Sequence, residues 1–294
     1  MSSAKTFPKD DYFLGEEYSR HARQQHFMAL CYVARNFDLI SSLPTPARAI
    51  DIGCGTGEVA KLLSRFSNLH DVLAFDSCPN MVGAAKRNNN DSRIEYVTAK
   101  FDDLEKEVGK EKLEGQFDLA VSMQMLHWLP DVESAIAKVH NWLKPGGYFL
   151  GYCLAAPPMG HLYMVKNLAK MGYHMEPVER LLAESVPSAP WLLAEDKLSV
   201  ARPLFEKAGF ICEQLTLEED SFEFKRQEAK DYIRCFKPLY QLYDSLSEEQ
   251  QEKLLNDVGE NFVQTLQKGE GDDVFVGRDD VIVFLMKKPD VGQM

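Results

Sequence analysis

The sequence predicts an α/β fold, a mainly parallel sheet with helices on both faces. Two observations carry that expectation. Between residues 47 and 154 short apolar runs alternate with amphipathic stretches, the β-α-β rhythm of a parallel sheet. The first of those runs ends in a glycine-rich loop, Gly53-Cys54-Gly55-Thr56-Gly57, placed between strand and helix. The chain of 294 residues, 45% hydrophobic and 27% charged, is long enough for one large α/β domain with additions.

Residues 15 to 37 read as one helix, with Tyr18, Ala22, Phe27, Leu30, Val33, Ala34 and Phe37 at a loose helical period, and "SSLPTP" ends it. "ARAIDI" reads as a buried strand and "GEVAKLLSRF" as an amphipathic helix. "DVLAFD" is a strand, followed by the helix "PNMVGAAKRNN" with Pro79 near its start, where a missing N–H is harmless. "RIEYVTA" and "FDLAVSM" are strands, "DVESAIAKVHNWL" is a helix stopped by Lys144-Pro145-Gly146-Gly147, and "YFLGYCL" is a strand. Beyond Pro157-Pro158 the rhythm fades. Residues 159–208 read as helical with proline breaks, "GFICEQLTLEEDSFEFK" as strand, 227–268 as helix and "DDVIVFLMKK" as a last strand.

A net charge of -12, with no run of Lys or Arg longer than a pair, disfavours nucleic acid and acidic membranes as partners. The six cysteines have no C-x-x-C spacing, which argues against a zinc site, and no metal is expected. The N-terminal stretch lacks a signal-peptide core and no segment approaches the ~20 apolar residues of a membrane span, so a cytoplasmic protein is expected. The sequence carries no signal for an oligomeric state.

The chemistry is concentrated in "IDIGCGTGEVA". Gly53, Gly55 and Gly57 permit a tight turn and close approach of backbone N–H groups to a ligand. The pattern is D-x-G-x-G-x-G rather than the dinucleotide fingerprint, and Asp51 would repel a pyrophosphate but suit a cationic group such as the amino group of a methionine moiety. Asp76 ends the second strand about nineteen residues after Gly57, the spacing at which an acid reaches both ribose hydroxyls of a nucleoside. A glycine triplet alone is no more than a tight turn. Flanked by Asp51 and Asp76 it reads as a nucleoside site.

"DIGCGTG", the acid of "AFDSCPNM", "FDLAVSMQMLHWL" and "LKPGGYF" together resemble the class I S-adenosylmethionine-dependent methyltransferases over residues 47–154. The resemblance implies a Rossmann-like sheet of seven strands with a reversed last strand, into which "VIVFLMKK" fits, and S-adenosyl-L-methionine as cofactor. It implies that Asp51, Gly53, Gly55 and Gly57 line the methionine end, that Asp76 binds the ribose, and that Ser77 and Met81 border the adenosine. Lys100 stands where many such enzymes carry an acid near the adenine amino group, which leaves Phe101 and Asp102 for the adenine. One domain over 1–294 is then expected: an N-terminal helical cap (1–46), a donor-binding core (47–154), and lid helices with the final strands (155–294).

In an open parallel sheet ligands sit beyond the carboxyl ends of the strands. Met123 ends the fourth strand, so Gln124 to Trp128 lie beside the methyl donor. Nothing in the sequence supplies a partner to orient His127, which reads as a structural histidine. Trp128 offers a flat apolar wall and one N–H donor. "YSRHARQQ", with Tyr18 and Gln25 seven apart, followed by "LHW", is similar to the arthropod juvenile hormone acid methyltransferases, though Ala22 replaces the usual Asn. By that resemblance Gln25 and Trp128 hold a substrate carboxylate, in juvenile hormone biosynthesis. Taken alone, Gln25 beside Gln24 reads equally well as a surface position. "LHW" also resembles the trans-aconitate and malonyl-carrier-protein methyltransferases. Residues 159–200, rich in Met, Tyr and Leu, read either as helix core or as an adaptable lid over a lipophilic acid such as a farnesoic acid-like compound. Two other readings stay open: another small-molecule acceptor, and a non-catalytic binding protein of the same fold.

Overall fold

The computed structural model describes residues 15–157, 189–235 and 246–292. Strands β1 (Ala47–Ile52), β2 (Leu69–Asp76), β3 (Ile94–Thr98), β4 (Phe117–Met123) and β5 (Leu143–Leu154) run parallel. They are joined by β6 (Ile211–Lys225), the two-residue β7 (Gln267–Lys268) and β8 (Val274–Lys287). Among the described residues the order across the sheet is β3-β2-β1-β4-β5-β8-β6, the seven strands expected, with the two-residue β7 pairing to β8 off this path. As expected, β8 is reversed, antiparallel to both β5 and β6. The strand order and the reversed β8 give the Rossmann-like sheet that the resemblance implies.

Burial explains why the strands read as they do. β4 is buried at its first six positions and β1 at all but Arg48, because helices cover both faces of the central sheet. β6 lies at the edge and alternates buried or half-buried with exposed positions, leaving one face to solvent. Among the helices α4 (Glu58–Leu63), α5 (Pro79–Asn88), α6 (Leu104–Val108) and α7 (Val132–Trp142), α5 starts with Pro79, and α7 is capped by Asp131, whose side chain accepts the N–H of Ser134 at 2.9 Å.

The single N-terminal helix expected over 15–37 is instead three: α1 (Gly15–His21), α2 (Arg23–Arg35) and α3 (Phe37–Ser41). The first break falls at Ala22, which leaves helical geometry (φ −83°, ψ 34°) and is wholly buried. α2 is fastened to the far end of the chain. The Tyr32 hydroxyl donates to the Phe284 carbonyl at 2.7 Å, Arg35 pairs with Glu218 at 2.7 Å, and the Gln25 amide Nε2 donates to the Tyr232 hydroxyl.

The last strand begins earlier than the sequence suggests. β5 pairs with β8 as far as Leu154↔Val281, whereas β6 and β8 continue together to Lys225↔Val274. The two strands thus leave the sheet as a ribbon beyond the carboxyl end of β5, and the helix Arg226–Arg234 that follows returns Tyr232 to α2. Most of the expected lid, residues 158–188, lies outside the described residues. Of the rest, Trp191 is core: it is 1% exposed, and its indole N–H donates to the Leu154 carbonyl at 2.9 Å. Among the described residues no helix is long and apolar enough to cross a membrane.

Candidate active site

The strand order turns back between β1 and β4, and a crevice opens there at the carboxyl ends of the strands. It is a cleft of ≈ 440 Å³. Asp51 and the loop residues Gly53, Gly55 and Thr56 form one wall, Met123, Gln124 and Tyr152 a second, and Tyr18, Gln25 and His26 of the N-terminal helices a third.

The three glycines, expected to act together, divide their work. All have positive φ, 75°, 53° and 90° in order. A Cβ on Gly53 would fall 2.4 Å from Met125 Cγ, and one on Gly57 would fall 2.5 Å from the Tyr96 hydroxyl, so both let neighbouring elements pack. A Cβ on Gly55 would meet nothing within 4 Å. Gly55 is therefore the position where a side chain would enter the cleft instead of the protein. Gly57 is not among the described cleft walls, and a Cβ there would crowd Tyr96 of β3 and Ala85 of α5.

Asp51 is 1% exposed, and its Oδ2 has no hydrogen-bond partner. Burial pushes its carboxyl up to about 8, against the pull of the Ala60 backbone N–H. A buried carboxylate oxygen with nothing bonded to it fits an ammonium group. Asp76 is fixed from two sides: its Oδ2 accepts the Gly55 N–H at 3.0 Å and its Oδ1 the Cys78 N–H at 2.9 Å. Burial raises its pKa, while the N–H groups of Cys78, Gly55 and Ser77 oppose that rise. With three N–H groups on it the carboxylate keeps capacity for one further donor, and Asp76 is not itself among the described cleft walls. The residues present thus fit an aminoacyl-nucleoside with a cationic head.

The other predicted residues are spread more widely. Ser77 is exposed just past the tip of β2, and Met81 is buried in the first turns of α5. Phe101 is 8% exposed and packs in the core against Trp142 (centroids 5.1 Å apart) and Phe75 (6.1 Å). Asp102 is not among the described cleft walls. Its carboxylate pairs with Lys138 at 2.7 Å and is largely exposed, because the short helix Phe101–Asp103 turns it outward. Trp128 ends the short helix Leu126–Trp128, with its ring 5.3 Å from that of His127. It is not among the described cleft walls. His127 is 1% exposed, and its Nδ1 accepts the Leu154 N–H at 3.4 Å, a structural placement.

Several cleft residues carry no local sequence signal. Gln124 has φ 56°, a left-handed conformation rare outside glycine, directly after β4. Its N–H donates to the Tyr152 carbonyl at 2.8 Å. Gln124→Gly should unfold at higher denaturant than Gln124→Ala, by about 1 kcal/mol, because only glycine takes this φ without strain. Equal stability in the two variants would mean that the backbone there is relaxed. Tyr152 stands near the carboxyl end of β5, where the strand-end rule would have flagged it, and its hydroxyl donates to the Gln25 carbonyl at 3.3 Å. Thr56 donates to Glu58 Oε2 at 2.6 Å, and its hydroxyl lies 3.4 Å from His26 Nε2. Tyr232, which reaches Gln25 across most of the chain, could be found only from the folded molecule.

Residues 50–151 match the family described as "Methyltransferase domain". A biotin biosynthesis bifunctional protein of Bordetella avium is 32% identical over 133 residues, which are 45% of this chain and 27% of that protein. A ubiquinone biosynthesis O-methyltransferase of Xanthomonas axonopodis is 29% identical over 45% of this chain and 56% of its own. A malonyl-[acyl-carrier protein] O-methyltransferase of Acetivibrio thermocellus is 25% identical over 74% of this chain and 73% of its own. The chain thus spans about a quarter and about half of the first two relatives. Among solved structures, phosphoethanolamine N-methyltransferase 2 of Haemonchus contortus, in complex with S-adenosyl-L-methionine, superposes with a TM-score of 0.51. It is 16% identical and covers 90% of this chain and 52% of its own, a likeness of fold.

Proposed function

We propose, from the premise that residues 50–151 are an S-adenosylmethionine-dependent methyltransferase domain, that the protein esterifies the carboxylate of a lipophilic acid. The observation that carries this reading is Gln25. Its side chain walls the donor cleft, its Nε2 is bonded to Tyr232, and its Oε1 is buried without a partner. Half a turn of the amide exchanges the two ends. The Tyr232 hydroxyl then donates to Oε1, and Nε2–H is left for an acceptor oxygen. The bound donor supplies an electrophilic methyl group. A carboxylate is already ionised at neutral pH, so no base is required. What the residues contribute is alignment and replacement of the water that an anion loses on entry. Gln25 replaces one such water, and Trp128, on the turn after Met125, supplies a second N–H. The likeness to an O-methyltransferase acting on a malonyl-carrier protein supports an acid as acceptor.

A second reading, methylation of an amine, is favoured by the charge of the cleft, whose described walls carry Asp51 and Glu58 but no Lys or Arg. One screen separates the two. Enzyme and methyl-labelled donor are offered farnesoic-type acids, small polycarboxylates and lipophilic amines, and the products are treated with base. An ester releases its label as methanol, and a methylamine keeps it. On an acid substrate Gln25→Leu and Trp128→Phe should each raise the barrier by about 1–3 kcal/mol and leave donor affinity unchanged. Label found only in base-stable products would defeat the acid reading. A Trp128→Phe variant silent on every acid would remove the indole from the site.

A further inference from the structure

The donor has a zwitterionic head, and the residues assigned so far serve only half of it. Asp51 offers an unpartnered oxygen to the ammonium group. The methionine carboxylate must enter the same cleft, whose described walls carry Asp51 and Glu58 but no Lys or Arg. Among the described walls of the cleft His26 is the only side chain able to carry a positive charge. We infer that His26 of α2 binds the carboxylate of the donor's methionine moiety, so that the cap as well as the sheet holds the donor. This inference rests on the donor reading above.

The geometry presents His26 to that part of the cleft. Its Nε2 lies 3.4 Å from the Thr56 hydroxyl and 3.6 Å from Glu58 Oε2, and Thr56 sits between Gly55 and Gly57. The Tyr18 ring meets the imidazole edge-on, with centroids 5.5 Å apart. The ring thus lies beside the glycine loop, with Nε2 near Thr56 and Glu58. Burial lowers the His26 pKa, against the pull of Glu58, so the imidazole offers the carboxylate an N–H rather than a fixed charge.

The test uses three compounds that differ at the group concerned: S-adenosylmethionine, S-adenosylhomocysteine and decarboxylated S-adenosylmethionine. Their affinities are measured by calorimetry on the wild type, His26→Ala and His26→Gln. For the two compounds that keep the carboxylate, His26→Ala should bind about tenfold more weakly or worse, the loss of one bond to a charged group. His26→Gln, which retains an N–H, should fall between. The decarboxylated compound should bind His26→Ala within about twofold of wild type, since it lacks the group at issue. An equal loss for all three compounds would make His26 a shaper of the cleft and overturn the inference, as would no loss for any. If the wild type binds none of the three, the donor reading itself fails, an outcome distinct from either.

Discussion

Gly55→Val should cost at least a hundredfold in affinity for S-adenosylmethionine, with the fold retained. Its Cβ and two methyl groups would stand in the open space that Gly55 leaves within the cleft. Valine at φ 53° is also strained, by about 1–2 kcal/mol, which alone would lower the melting temperature without touching a ligand. Gly115 is the control. It has φ 63°, and a Cβ there likewise meets nothing within 4 Å, but it lies on the exposed turn before β4. Gly115→Val should lose similar stability and bind the donor as wild type does. Comparable donor affinity in the two variants would show that the space beside Gly55 is not where the ligand lies.

Asp51→Asn is expected to move stability and donor binding in opposite directions. The carboxyl is pushed up to about 8 in the fold, and an unfolded aspartate titrates near ~3.9. The protonated form therefore favours the fold. That contribution is complete below the unfolded value and fades as pH rises through about 8. At neutral pH and above a neutral isostere avoids the cost of keeping or burying the charge, a gain of about 1–3 kcal/mol after allowance for an imperfectly bonded amide. The fall in stability between roughly pH 4 and 8 should be shallower in the variant than in the wild type. Donor affinity should drop about a hundredfold or more, because an ammonium group has lost its counter-charge. Binding to the wild type at pH 7 should release close to one proton, read from calorimetry in buffers of different ionisation heat, and the variant should release none. A variant that binds normally, or a wild type that releases no proton, would take Asp51 out of the donor site.

Much of the fold was legible because a parallel sheet buried on both faces must be written as apolar runs, and β1, β2, β4 and β5 were read near their observed positions. Asp51, Asp76 and Gly55 were legible for a related reason: strand tips and the loop after β1 are fixed by topology. Side-chain direction was not. Gly57 and Gly53 look like Gly55 in sequence, yet the neighbours that make them necessary, Tyr96 and Met125, belong to other elements. The helix break at Ala22 has no proline or glycine to announce it and follows from tertiary packing. Asp102 was placed by counting from β3, and a short helix turned it toward Lys138. The partners of Gln25 come from β5 and from the helix Arg226–Arg234, a juxtaposition that no local pattern encodes.

That juxtaposition gives the two sides of the cleft different folding histories. Asp51, Gly55 and Asp76 interact over at most some two dozen residues of chain, and the strands that carry them close early in synthesis. The bonds of α2 to Tyr232, Phe284 and Glu218 span sequence separations of 207, 252 and 183. Loops of that length close slowly, and the bond to Phe284 waits for the last strand to leave the ribosome. A nascent chain that has not reached Tyr232 already carries both Gly55 and Asp76, while Gln25 still lacks its partner.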